Sequence, residues 1–104
     1  MDEEKFKTAV EKGRIEWRKH VFQRMVQRGI KREDVKEVIT KGEMIESYEN
    51  DKPFSSALFF KIVNGEPLHV VTSFDERQNK VYIITTYKPT IEIFESDYKT
   101  RKRK

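Results

Sequence analysis

The chain has 104 residues, no cysteine, two histidines and a formal net charge of +4. That length supports one modest core and excludes a multi-domain machine. The lack of cysteine excludes disulfides, thiolate zinc sites and cysteine nucleophiles, and two histidines far apart argue against a protein-only metal site. Hydrophobic residues make up 36% of the chain and fall in short periodic runs, none near the roughly 20 apolar residues of a membrane span. The opening "MDEEKFKTAV" is too acidic and polar for a signal peptide, so a cytoplasmic protein with no membrane partner is expected. Abundant Lys, Glu and Arg with few Asn and Gln is the bias of thermophile proteins.

Charge is unevenly spread. The terminal "KTRKRK" alone carries five positive charges, and without it the chain stands at −1. Residues 12 to 41 hold ten Lys/Arg against four acids, whereas residues 42 to 77 hold three against seven. Such segregation suits a polyanion on one side and a basic partner on the other. The plainer explanation is a solvated, disordered tail at 99 to 104, beyond a single α+β domain over 1 to 98, with helices that are simply decorated by Lys and Arg.

In chain order, Asp2 is placed to cap a helix over residues 3 to 12, ended by Gly13. "RIEW" alternates briefly, as an extended lead-in. From Arg18 to Arg28 the residues Val21, Phe22, Met25 and Val26 share one arc of a helix that Gly29 stops. "KREDVKEVITKG" repeats the pattern, with Glu33 and Asp34 in its first turn, Val35, Val38 and Ile39 as its apolar stripe, and Gly42 as its stop. The period then changes to two. "EMIESYE", "ALFFKIV", "PLHVVTSF" and "VYIITTY" read as strands, and Asn64-Gly65 between two of them is a strong hairpin signal because both residues accept positive φ. "IEIFESDYK" fits either a strand or a helix. Helices followed by an antiparallel meander predict an α+β fold, with N-terminal helices packed on one sheet of about four strands.

The chemistry-bearing residues lie on two of these elements. His20, Arg24 and Arg28 recur at a spacing of four, within about 80° of the helical wheel, beside Gln23 and Gln27 and away from the apolar arc. Two arginine forks beside an imidazole can bind a phosphate and favour the neutral base. Solvated arginines with acid partners elsewhere in the fold would give the same pattern. His69 in "PLHVV" faces away from Leu68 and Val70, toward either a cleft or solvent, and a lone strand histidine is more often structural. "ITTYKP" ends a strand with Thr85, Thr86, Tyr87 and Lys88, groups suited to phosphate contact and base stacking, although a plain β-rich strand end has the same composition.

The series His20, Arg24, Arg28, Gly29, Ile30, followed by "EDVKEVITKGEMIESY", Pro53, "GEPLHVV" and "VYIITTYKP", resembles the uncharacterised bacterial and archaeal family known as domain of unknown function 4258. The likeness spans residues 18 to 89 and departs at Lys31, where the family usually has a small polar helix cap. That family is distantly similar to RelE/MqsR-like and barnase-like ribonuclease toxins, whose fold is also helices on an antiparallel sheet. The resemblance implies metal-independent RNA cleavage by 2′-OH attack, with no cofactor. In that reading His20 and His69 are the acid/base pair, Arg24 and Arg28 stabilise the phosphorane, and Thr86, Tyr87 and Lys88 position the nucleotide. The implied partners are RNA, including ribosome-associated RNA, and a cognate antitoxin such as a zinc-finger protein of the MqsA type. The alternatives are a non-catalytic nucleic-acid or protein-binding module of the same fold and, ranked last, helix-turn-helix DNA binding by residues 18 to 42. Glu33 and Asp34 stand in the latter case where a recognition helix would present donors.

Overall fold

A computed structural model of the chain describes residues 1–103. The elements among them are α1 (Glu3–Glu11), β1 (Ile15–Glu16), α2 (Lys19–Arg28), α3 (Arg32–Lys41), β2 (Glu43–Tyr48), β3 (Ser56–Val63), β4 (Glu66–Asp75) and β5 (Lys80–Tyr87). The class is α+β, as the change of hydrophobic period predicts. The sheet has five strands instead of about four, in the order β1-β5-β4-β3-β2. The additional strand is the "RIEW" lead-in: Ile15 and Glu16 pair in parallel with Val81 and Tyr82, which makes the sheet mixed. Two residues are too few to display a periodicity, so only their partner on β5 defines them as a strand.

Local chemistry accounts for the boundaries. The Asp2 carboxylate accepts from the Lys5 backbone N–H and caps α1. Gly29 ends α2 with φ of 67°, a left-handed conformation that costs glycine little. Lys31, at the N-cap of α3, supplies no side-chain cap, so the first-turn acids Glu33 and Asp34 are what complement that helix end. Asn64 and Gly65 both have positive φ, as a two-residue hairpin of this type requires. No helix among the described residues is long and apolar enough to cross a membrane.

The helices cover one face of the sheet. Phe6, Val10, Val21, Met25, Val35, Val38 and Ile39 pack there against Phe59, Leu68, Val70, Phe74, Val81 and Ile83. The apolar arc of α2 is only half used: Val21 and Met25 are buried, whereas Val26 is 66% exposed and Phe22 40%. This helix rests on β5 near the sheet edge, and the Phe22 ring receives the Arg32 guanidinium instead of a core neighbour.

On the opposite face of the sheet, the part around His69 is covered by the chain that follows β5, while Phe54 stacks on Tyr82 and Ile62 stays exposed. "IEIFESDYK" forms neither a regular strand nor a helix; it is a series of turns closed by one antiparallel bridge between Phe94 and Arg101. Residues 99 to 102 of the expected disordered tail belong to this segment, and they carry two ion pairs, Lys99–Glu43 and Arg101–Glu46, and a Lys102 N–H to Ile93 carbonyl hydrogen bond. Lys104, the last residue of that tail, lies outside the described residues.

Candidate nucleic-acid interface

The 3.6-residue period of α2 turns Val21 and Met25 into the core and leaves His20, Arg24 and Arg28 along one exposed edge. That edge borders the end of β5, where a β-bulge has made room. Thr72 pairs with Ile83 and Val71 with Thr85, so Ile84 is an extra residue that breaks the alternation. The result is a cleft of about 230 Å³ lined by His20, Val21, Arg24, Arg28, Ile84, Thr85 and Thr86.

Among the described residues, no carboxylate lines this cleft. None of the ion pairs among the described residues engages His20, Arg24 or Arg28. The acids of residues 42 to 77 that could have neutralised the stripe are turned elsewhere: Glu43 to Lys99, Glu46 to Arg101, and Glu49 to the N-terminal amine. Arg28 donates through Nη1 to the Thr86 carbonyl at 2.9 Å, which fixes one guanidinium against the sheet and leaves its remaining N–H groups for an incoming acceptor. Two guanidinium forks beside an imidazole, with no ion-pair partner among the described residues, have the chemistry of an anion site.

The other expected site residues divide. Thr86 joins the cleft; its hydroxyl is spent on the His69 carbonyl at 2.8 Å, so its backbone carbonyl and position contribute there, not a free hydroxyl. Lys88 pairs with Glu66 at 2.8 Å and lines a separate groove with Asn64, Pro67 and Leu68. His69 and Tyr87 are directly cross-strand neighbours on the face away from the helices, with ring centroids 5.3 Å apart.

His69 therefore does not share a cleft with His20. Leu68 and Val70 sit in the core beneath the helices, and strand alternation sends His69 through the sheet to the far side. There it is fully buried, edge-on to Phe60 and Phe94. Its Nε2 lies 2.7 Å from the Tyr98 carbonyl and so carries the proton, leaving Nδ1 to accept from the Tyr87 hydroxyl at 3.4 Å. Burial holds the imidazole below its ordinary pKa, against the opposing pull of the Tyr98 carbonyl and Glu46. Burial likewise raises the Tyr87 phenol. The expected pairing of the two histidines as acid and base is corrected by this geometry: the sheet separates them.

Pattern reading did not single out Glu46, Tyr48, Tyr98 and Arg101, which surround His69. Glu46 accepts from Arg101 through both Nε at 2.7 Å and Nη2 at 3.1 Å, and also from the Tyr48 hydroxyl. Burial raises its pKa, but these hydrogen bonds outweigh that effect and hold the carboxyl below its ordinary value. The segregation of charge along the chain was the available signal.

Fold and cleft together define a small α+β domain with an unneutralised cationic edge between one helix and the end of its sheet. The chain belongs to the family described as Domain of unknown function (DUF4258), whose profile matches residues 17–88. That range contains α2 and β5, and with them the whole cleft. No curated protein and no solved structure matches the chain.

Proposed function

We propose that the chain binds RNA through the α2/β5 cleft and cleaves it without a metal, as a cytoplasmic endoribonuclease of the toxin type. The observation that carries this reading is the alignment of His20, Arg24 and Arg28 on one cleft that no carboxylate among the described residues lines. Arg24 and Arg28 engage the scissile phosphate, and their forks take up the charge that develops on its equatorial oxygens. His20 lines the cleft and removes the 2′-OH proton, so that the 2′-oxygen bonds to phosphorus to give a 2′,3′-cyclic phosphate while the bond to the 5′-oxygen breaks, and the departing 5′-oxygen takes its proton from water. His69 and Tyr87 have no contact with the reacting strand in this scheme. A cognate antitoxin would silence the protein by covering the same edge.

The separation of His69 from His20 favours a second reading, in which the domain binds RNA without cutting it, because the cleft then has one acid/base group where two were expected. Incubation of end-labelled RNA in EDTA with wild type, His20→Ala and Arg24→Ala distinguishes the two. Cleavage by wild type, lost in His20→Ala with binding retained, supports the nuclease. Binding lost in Arg24→Ala with no cleavage by any of the three supports the binding module. Equal, low degradation by all three with no binding contradicts both.

A further inference from the structure

Residues 93 to 102 form a self-contained unit on the face opposite the helices. The Ile93 carbonyl accepts from Lys102 N–H at 2.8 Å, and the Thr100 carbonyl accepts from Glu95 N–H at 2.7 Å. The Asp97 carboxylate organises the tip by accepting from the backbone N–H groups of Lys99 at 2.8 Å and Thr100 at 3.0 Å and from the Thr100 hydroxyl at 2.9 Å. This loop sits on the sheet through a bidentate Arg101–Glu46 pair, a Lys99–Glu43 pair at 3.4 Å, the Tyr98 carbonyl on His69 and the Phe94 ring against the imidazole. Arg101 also lies over the Phe94 ring, 5.0 Å from its centroid.

The receiving surface lies inside the family match and its occupant outside it. Glu43, Glu46, Tyr48, His69 and Tyr87 all fall inside residues 17–88, which the family profile matches, whereas the occupying loop lies wholly outside that range. The Lys99 and Arg101 side chains are 39% and 52% exposed, so water and salt compete for both ion pairs. Tyr98, whose carbonyl caps His69, has φ of 59°, an unfavourable left-handed conformation for a bulky residue. Two carboxylates flanking a neutral N–H donor repel a polyanion and accept a guanidinium with a backbone carbonyl beside it.

We infer that the sheet face bearing Glu43, Glu46 and His69 is a docking site for an arginine-bearing basic segment of a partner protein, and that residues 93–102 occupy it in cis. Glu46 takes the partner's guanidinium, Glu43 a second cation, and His69 Nε2–H the backbone carbonyl between them. The inference stands independently of the RNA reading, because the cleft of α2 lies on the other side of the sheet.

The test uses the full chain and a fluorescent peptide of its own sequence IEIFESDYKTRKR, read by anisotropy at low salt. Arg101→Ala loosens the cis loop, and the peptide should then bind about tenfold tighter than it binds wild type. Replacing the peptide's arginine at the position of Arg101 by alanine, or adding Glu46→Gln to the Arg101→Ala chain, should remove that gain. Lys99→Ala, which deletes one exposed pair, should give a smaller gain in the same direction. Equal binding to wild type and both loosened variants overturns the inference, as does binding unaffected by Glu46→Gln. Displacement of the peptide by a single-stranded RNA also overturns it, since that result makes the face a polyanion site.

Discussion

The Thr86 hydroxyl donates to the His69 carbonyl at 2.8 Å, while the Thr86 carbonyl accepts from Arg28 at 2.9 Å. One buried threonine thus links the strand that carries the far-side histidine to the helix that carries the cationic edge. Replacing it with valine keeps the shape and removes the donor. Thr86→Val should lower stability by about 1 kcal/mol in urea unfolding, the ordinary worth of a buried neutral hydrogen bond. No change in the unfolding midpoint would show that the hydroxyl does not tie the strands.

The cleft should also reveal itself through salt. Each guanidinium that contacts a phosphate of single-stranded RNA contributes about 0.7 to the slope of log affinity against log salt. Arg24→Ala and Arg28→Ala should each flatten that slope by about this amount. Lys99→Ala and Arg101→Ala should leave it unchanged, because those cations face carboxylates across the sheet. A slope altered only by the last two would move the RNA site to the C-terminal loop.

His69 gives the fold a pH dependence of known sign. Burial lowers its folded pKa below the ordinary value of 6.5, so over the interval beneath 6.5 the unfolded chain binds a proton that the folded chain does not. Its contribution is therefore fully present above pH 6.5 and is lost as pH falls through the folded value. Thermal midpoints taken from pH 7.5 to 5 should decline in wild type, and the decline should be shallower in His69→Gln. Parallel curves for the two proteins would remove His69 as the cause.

Gly42 meets a tight steric limit where α3 turns into β2. A Cβ added there would lie 2.3 Å from the Val38 carbonyl oxygen and 2.6 Å from that of Phe60, both backbone atoms. Gly42→Ala should destabilise by roughly 1 to 3 kcal/mol, the range for overpacking a site that cannot give way. The glycine reads in the sequence only as a helix stop, and the approach of Phe60 becomes visible only once β2 and β3 are paired.

That glycine illustrates what the sequence discloses. The helices α2 and α3, the Asn64-Gly65 turn and the cationic edge of α2 follow from local spacing, because each depends on residues within a turn or two of one another. The two-residue β1 could not be read that way, since its strand character comes from pairing with β5, far along the chain. Alternation placed His69 on the face away from Leu68 and Val70, but it carries no information about what covers that face. The loop that buries it begins after β5, and its anchor, Arg101 on Glu46, joins residues from opposite ends of the charge segregation. The bulge at Ile84 is a further case: it puts Thr86 in the cleft and sends Tyr87 to the far side, a division that a regular reading of "ITTYKP" misses.

The proposed site for RNA is the α2/β5 edge. Backbone amide and imidazole resonances of the full chain, followed by NMR while a short single-stranded RNA is added, test it most directly. Shifts should concentrate at His20, Arg24, Arg28 and the Ile84 to Thr86 segment, with His69, Glu46 and residues 93 to 102 unmoved. Shifts confined to the His69 face, or none at RNA concentrations far above the protein's, would contradict it.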